Sequence, residues 1–175
     1  IKESDATALF PGGYGTHDEA FEVLTLLQTG KTPPRPLVFV DTRFGWYWRD
    51  WLRLIKNNML KRKLINEHDL SLFKVTNDVD DAVDYVANFY KNYHSMRYVG
   101  SRTILRLNTA LTDHQISKLN KNFKDILISG DIESSSPTTE EIKDKDHVDL
   151  FRLSLNFNRY SYGRLHQMIH QINGM

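Results

Sequence analysis

The residues best arranged to do chemistry lie in one short run, Pro11-Gly12-Gly13-Tyr14-Gly15-Thr16-His17-Asp18-Glu19. Three glycines separate an apolar run, Ala6–Phe10, from a stretch with helical spacing, so the chain can turn tightly and bring its backbone close to a ligand. A helix start presents amides without internal partners and the positive end of the dipole, a seat for phosphate. Gly12, Gly13, Tyr14, Gly15 and Thr16 are therefore the candidate binding residues, the Thr16 hydroxyl adding a side-chain donor. Glu19 lies one turn into the helix, where its carboxylate can face the same pocket rim. Glu22, a turn further along the same face, is a second carboxylate counted with the binding residues. Glu19 also has a purely structural reading: Thr16-His17-Asp18-Glu19 fits a capping box, in which the carboxylate merely bonds the Thr16 amide.

Other groupings carry less. His166 and His170 have the i, i+4 spacing of a zinc helix, but Gln167 stands where the base would be and no third ligand is evident, so no metal is expected and an exposed helix face is the simpler reading. Arg102, Arg106 and Arg152 would form a basic strip on the wet face of a sheet, either an anion site or a salt-bridged surface. Trp46, Trp48 and Trp51 with Tyr47 have the surface to stack a base, though their helical spacing suits a core or a subunit contact. The absence of cysteine removes disulfides, thiolate metal sites and thiol catalysis.

The elements that must position these residues fall into two regimes. From Ile1 to Tyr93, short apolar runs (Ala6–Phe10, Leu37–Val40, Leu72–Val75) alternate with helical patterns. One helix carries Ala20, Val23, Leu24 and Leu27. A second, Tyr47–Leu60, carries Trp48, Trp51, Leu52, Ile55 and Met59. A third, capped by Asn77 or Asp78, carries Ala82, Val83, Val86 and Phe89. Such alternation predicts parallel strands in an α/β layer fold. From His94 to Met175 the pattern changes. Phe151, Leu153, Leu155 and Phe157 alternate with Arg152, Ser154, Asn156 and Asn158, which predicts a strand with one wet face. Val99–Leu107 alternates similarly. Thr112–Gln115 is a capping box opening one helix, Ser161 caps another, and Ser134–Asp146 reads as a polar loop. The expected order is β-α-β-β-α, a small α+β module over residues 94–175 following an α/β domain over 1–93.

The 175 residues are 40% hydrophobic and 26% charged, proportions of a globular protein. With 23 Lys+Arg against 22 Asp+Glu, the net charge of +1 supplies no field for a polyanion, so no nucleic-acid partner is expected. No run approaches the length of a membrane span, and a cytoplasmic location is the default expectation.

The segment PGGYGTHDEAFEVLTLLQTG resembles the PGGxGTxxE signature of the LOG-type (Lonely guy) phosphoribohydrolases, long described as lysine decarboxylase-like. Glu22, Thr25, Gln28 and Gly30 fall where the family helix has them. Leu37–Asp41 followed by Gly45-Trp46-Tyr47 resembles the family's next strand and helix start. The resemblance covers about Ile1 to Tyr93. It implies a Rossmann-like sheet and hydrolysis of the N-glycosidic bond of nucleoside 5′-monophosphates, AMP-like or cytokinin ribotides, to free base and ribose 5-phosphate. No cofactor is expected: Lys31 and Lys61 carry no signature of a pyridoxal phosphate Schiff base, so the lysine decarboxylase description is set aside. Glycine amides and Thr16 would hold the 5′-phosphate, and Glu19 would stabilise the developing ribosyl cation or activate water.

The resemblance further implies an earlier glycine-rich turn and an Arg-Lys motif with a catalytic arginine, which nothing here matches. The chain is accordingly expected to be the C-terminal part of a longer member, inactive alone, its three-stranded sheet left with an edge and two apolar faces to be covered. A nucleotide-binding protein without turnover is the alternative. Apolar residues in excess of one stripe on helix Glu19–Gly30 (Phe21, Val23, Leu24, Leu26, Leu27) predict a homodimer or larger homo-oligomer with that helix at or beside the interface.

Overall fold

The computed structural model describes residues 4–175, which separate into two compact units. The first comprises the chain up to Phe89 together with residues 160–166. The second comprises residues 90–159 and 167–175.

In the first unit the order is β1 (Thr7–Leu9), α1 (Tyr14–Gln28), β2 (Leu37–Val40), α2 (Tyr47–Ile55), β3 (Lys74–Thr76) and α3 (Val79–Phe89). The strands form a parallel sheet in the order β1-β2-β3, with Thr7 opposite Leu37 and Val38 opposite Lys74. The continuous apolar run Leu-Val-Phe-Val makes β2 the central strand, buried on both faces. Because side chains alternate along a strand, Leu37 and Phe39 face one layer and Val38 and Val40 the other. Ala20, Val23 and Leu27 of α1 and Trp48, Trp51 and Ile55 of α2 pack on the first face. Ala82 of α3, with Tyr85 and Val86, packs on the second.

The expectation of two uncovered faces is therefore corrected: each carries helices. The α3 side is only partly closed, leaving an apolar groove in which Phe10, Val79 and Val83 are exposed. The helix expected over Tyr47–Leu60 stops at Ile55, and Lys56–Leu60 widens into a π turn. Leu72 belongs to a 3₁₀ turn, Glu67–Leu72, so β3 begins two residues later than the apolar run. Asp78 caps α3 as expected, its carboxylate accepting the Asp80 and Asp81 amides at 2.8 and 3.2 Å.

In the second unit β4 (Tyr93–Val99) and β5 (Arg102–Leu107) precede α4 (Asp113–Phe123). Then come β6 (Leu127–Ser134), α5 (Thr139–Asp144) and β7 (Phe151–Phe157). The final helix, α6 (Tyr162–Asn173), has its residues up to His166 in the first unit and the rest in the second. The sheet is antiparallel, ordered β4-β5-β7-β6. The β-α-β-β-α expectation thus omits one strand and one helix. Gly100, at φ +57°, lets β4 turn straight back into β5 with Val99 opposite Arg102. The predicted capping box of α4 is present: Gln115 Oε1 accepts the Thr112 amide at 2.8 Å and Thr112 Oγ1 accepts the Gln115 amide at 3.3 Å.

Two expectations about polar residues here are corrected. The supposed polar loop Ser134–Asp146 contains α5, and the supposed wet face of β7 is covered. Arg106 and Arg152 are only 4% and 3% exposed, and Glu141 of α5 is fully buried between them. Arg106 Nε and Arg152 Nε donate to its two carboxylate oxygens at 2.9 and 3.1 Å, while Asp146 binds Arg106 and Arg97. Burial pushes the Glu141 carboxyl up. The Thr138 amide and the two guanidiniums outweigh that and bring its pKa to about 2. Ion pairing, not an anion site, accounts for Arg106 and Arg152; Arg102 stays exposed. His166 is likewise not on an exposed face: it is 1% exposed, with its ring 5.4 Å from that of Phe89. Among the described residues no group of three or more His, Cys, Asp or Glu is arranged to hold a metal. Nor is any helix there long and apolar enough to cross a membrane.

Candidate functional site

The glycine run leaves β1 and enters α1 at the carboxyl edge of the parallel sheet, where open α/β folds place their ligands. Gly13 is the N-cap of α1 and supplies no side-chain cap. The first intrahelical bond at this end runs from the His17 amide to the Gly13 carbonyl, 3.3 Å. The amides of Tyr14, Gly15 and Thr16 are those a helix start leaves without an internal partner. No acidic residue lies in this first turn to compete with an anion.

Each glycine here has a different reason. A Cβ at Gly12 would lie 2.1 Å from Thr16 Oγ1, so Gly12 is glycine because Thr16 folds back onto it. A Cβ at Gly13 or Gly15 would meet nothing within 4 Å, and neither backbone lies in the left-handed region. Nothing in the fold requires glycine at those two positions. The open space above them is the room an approaching ligand would use.

Because α1 starts at Tyr14, Thr16 already lies inside the first turn and the capping-box reading of Glu19 is corrected: the helix has no side-chain cap. Glu19 and Glu22 are exposed, on the stripe that begins at Gly15, while Ala20, Val23 and Leu27 face the core. Tyr14 is 96% exposed. Glu19 and Glu22 thus share one exposed stripe of α1, and the glycine turn and the half-buried Thr16 lie at the start of the same helix.

Neighbouring loops stitch this edge together through residues to which motif reading gave no such role. Tyr47, the first residue of α2, donates its hydroxyl proton to the Gly12 carbonyl, and the same hydroxyl lies 2.7 Å from His17 Nε2. Asp41, buried at the end of β2, accepts the Thr42 amide at 2.8 Å and the Trp48 amide at 3.1 Å, fixing the start of α2. A Cβ at Gly45 would lie 2.0 Å from Asp41 Oδ1, which gives this glycine its role. After β3, Asn77 donates to the carbonyls of Thr42 and Gly45, both at 2.8 Å. The signal available in sequence was positional: Asp41 and Asn77 each directly follow a strand.

The tryptophans divide. Trp48 and Trp51 are core, their rings 4.7 and 4.8 Å from that of Phe39. Trp46 is 60% exposed, with the Arg49 guanidinium 5.1 Å from its ring centroid. Phe21 and Leu24 of α1 are partly accounted for inside the unit: with Ile55, Met59, Leu72 and Phe73 they line an apolar cavity, and Phe21 lies 5.9 Å from the Trp51 ring.

A parallel sheet sandwiched by helices, with a glycine turn entering a helix at its carboxyl edge, defines a Rossmann-like α/β protein. Residues 1–86 match the model of the family described as "possible lysine decarboxylase". That segment is therefore similar to this family, which is consistent with the LOG-type resemblance of the glycine turn. No curated protein matches the chain. The residues do not fit the chemistry in the family's descriptive name. A Schiff-base lysine needs a desolvated amine, and among the described residues no lysine is buried, Lys31 and Lys61 being exposed.

Proposed function

We propose that this site serves the hydrolysis of the N-glycosidic bond of nucleoside 5′-monophosphates, AMP-like or cytokinin ribotides, to free base and ribose 5-phosphate. The observation that carries this reading is the pairing of a helix start with open space above Gly13 and Gly15 and an exposed Glu19 carboxylate that no cap engages. The family match over residues 1–86 supports it. The amides and the Thr16 hydroxyl hold the 5′-phosphate, turning binding energy remote from the reacting carbon into orientation. As the bond from C1′ to the base nitrogen breaks, Glu19 stabilises the positive charge at C1′ or takes a proton from the attacking water. The base leaves with a proton and water oxygen ends on C1′. Glu22, exposed on the same stripe as Glu19, extends contact with the ribose in this proposal. The assembly is a homodimer with the Glu19–Gly30 helix at or beside the interface, Phe21 and the partly buried Leu26 supplying apolar contact.

The catalytic arginine that the resemblance implies has no match in this sequence, so binding and turnover are measured separately. Ribose 5-phosphate is titrated against tryptophan fluorescence, and adenine release from AMP is followed chromatographically. Adenine release demonstrates the hydrolysis. Saturable binding without release identifies a nucleotide-binding protein instead. Neither binding nor release refutes the proposal.

A further inference from the structure

The contact between Tyr47, His17 and the glycine turn fixes the positions of two protons. The Gly12 carbonyl has no proton, so the Tyr47 hydroxyl must donate its single one to it. The hydroxyl oxygen can then only accept at its second contact, 2.7 Å away at His17 Nε2. That nitrogen must therefore carry a hydrogen, and the chain of donors runs one way: His17 Nε2–H to Tyr47 Oη–H to Gly12 C=O. The Gly12 carbonyl and the Gly13 amide are two ends of one peptide unit, at the cap of α1. A hydrogen bond received by the carbonyl polarises that unit and strengthens its N–H as a donor. It also fixes the orientation of a peptide between two glycines, where the backbone is otherwise freest to rotate. Ring packing holds the relay in register: Tyr47 stands edge-on to Trp48 at 4.7 Å, and His17 lies 5.7 Å from Tyr47 and 5.8 Å from Trp48. Trp48 is fully buried and its amide is anchored on Asp41, so the relay stands on the core of the unit.

We propose that His17 and Tyr47 are positioning residues that orient and polarise the Gly12–Gly13 peptide for an anionic ligand through this one-way hydrogen-bond relay. The proposal rests on the phosphate-binding role given above to the glycine turn. It is distinguishable from that role because the relay can be read in the free protein. In the full chain with ¹⁵N-labelled histidine, long-range proton–nitrogen correlations at alkaline pH are expected to show the His17 proton on Nε2. Tyr47→Phe keeps the ring packing and removes the hydroxyl. The Gly13 amide proton is then expected to move upfield and ribose 5-phosphate binding to weaken about fivefold, the scale of one hydrogen bond. His17→Gln, which keeps a side-chain N–H, restores most of the affinity, whereas His17→Leu matches Tyr47→Phe. A neutral His17 ring protonated on Nδ1, a Gly13 amide unmoved in Tyr47→Phe, or equal affinities in His17→Gln and His17→Leu would each overturn the relay. If the wild-type chain binds no ribose 5-phosphate, the phosphate-binding reading fails, while the ring tautomer and the Gly13 shift still decide whether the relay exists.

Discussion

Gly15→Ala separates what the fold needs from what a ligand needs. Gly15 is the second residue of α1, its backbone lies outside the left-handed region, and a Cβ there would meet nothing within 4 Å. Alanine is therefore accommodated without strain, and it lowers the entropy of the unfolded chain. Gly→Ala at compatible sites stabilises by ~0.4–1 kcal/mol; at a helix's first turn the low end applies, about 0.5 kcal/mol. For a domain of this size that raises Tm by about 2–4 °C. All three tryptophans lie in the first unit, so tryptophan fluorescence melts report on that unit without interference from the second. The ligand experiences the opposite. An amide donating to a phosphate oxygen works at about 2.9 Å, and a methyl group placed above the turn blocks that approach. Each charge-assisted hydrogen bond lost is worth ~1.5–3 kcal/mol, so ribose 5-phosphate should bind roughly 10–100-fold more weakly to a protein that melts higher. Gly30→Ala is the contrasting control. Its φ of +66° and a would-be Cβ 1.9 Å from Tyr162 Cζ predict a lower Tm. Undiminished affinity in Gly15→Ala would refute the idea that the open space serves a ligand, and a lowered Tm would refute the reading of that space as empty.

Three further outcomes follow from the same geometry. Glu19→Gln in protein that turns over AMP should bind nucleotide normally and lose ~10²–10⁴-fold in adenine release; a near wild-type rate would reduce Glu19 to a surface acid. Glu141 has its pKa lowered from 4.5 to about 2, so its contribution is fully present above pH 4.5 and disappears as pH falls through about 2. Screening at the partly exposed Asp146 end reduces that contribution to roughly 2 kcal/mol; Glu141→Gln should flatten this part of the acid profile, and circular dichroism melts with unchanged acid sensitivity would count against it. Phe21→Glu should dissociate the proposed dimer in light scattering, and a variant that stays dimeric moves the contact to another surface.

The parallel sheet was legible because burial on both faces leaves a local mark: Leu37–Val40 is four apolar residues in a row, and all four are buried. The second unit was misread where stability comes from charges distant in sequence. Glu141 lies 35 residues from Arg106 and 11 from Arg152, so a window over Ser134–Asp146 shows only a polar stretch, and a window over β7 shows only an alternation with arginine on the outer side. Local hydropathy cannot tell a solvated arginine from one neutralised by a buried carboxylate. His166 failed for a related reason: an aromatic ring 5.4 Å away, from Phe89, is invisible to helical spacing. The Tyr47–His17 contact spans 30 residues and joins two elements that only the sheet brings together.

The site adds a different lesson, because the same formula occurs twice and folds two ways. Thr112–Gln115 and Thr16–Glu19 both read as Thr followed three residues later by Glu or Gln. At Thr112 the preceding chain is extended, with φ −73° and ψ 159° at the cap, so the hydroxyl faces its own helix amides and the box closes. At Thr16 the helix has already begun two residues earlier, because Gly13 makes the turn. The threonine then falls inside the helix, its hydroxyl packs over Gly12 instead, and its partner acid is released to solvent. Ending the turn in glycine thus has two coupled effects. It removes the side chain that would have capped the first-turn amides, and it frees the carboxylate that would have closed the box. A helix start built only for stability would keep both. Leaving the first-turn amides and the acid without a cap gives up a few tenths of a kcal/mol of capping energy, and binding a phosphate ester at those amides is the use proposed for it.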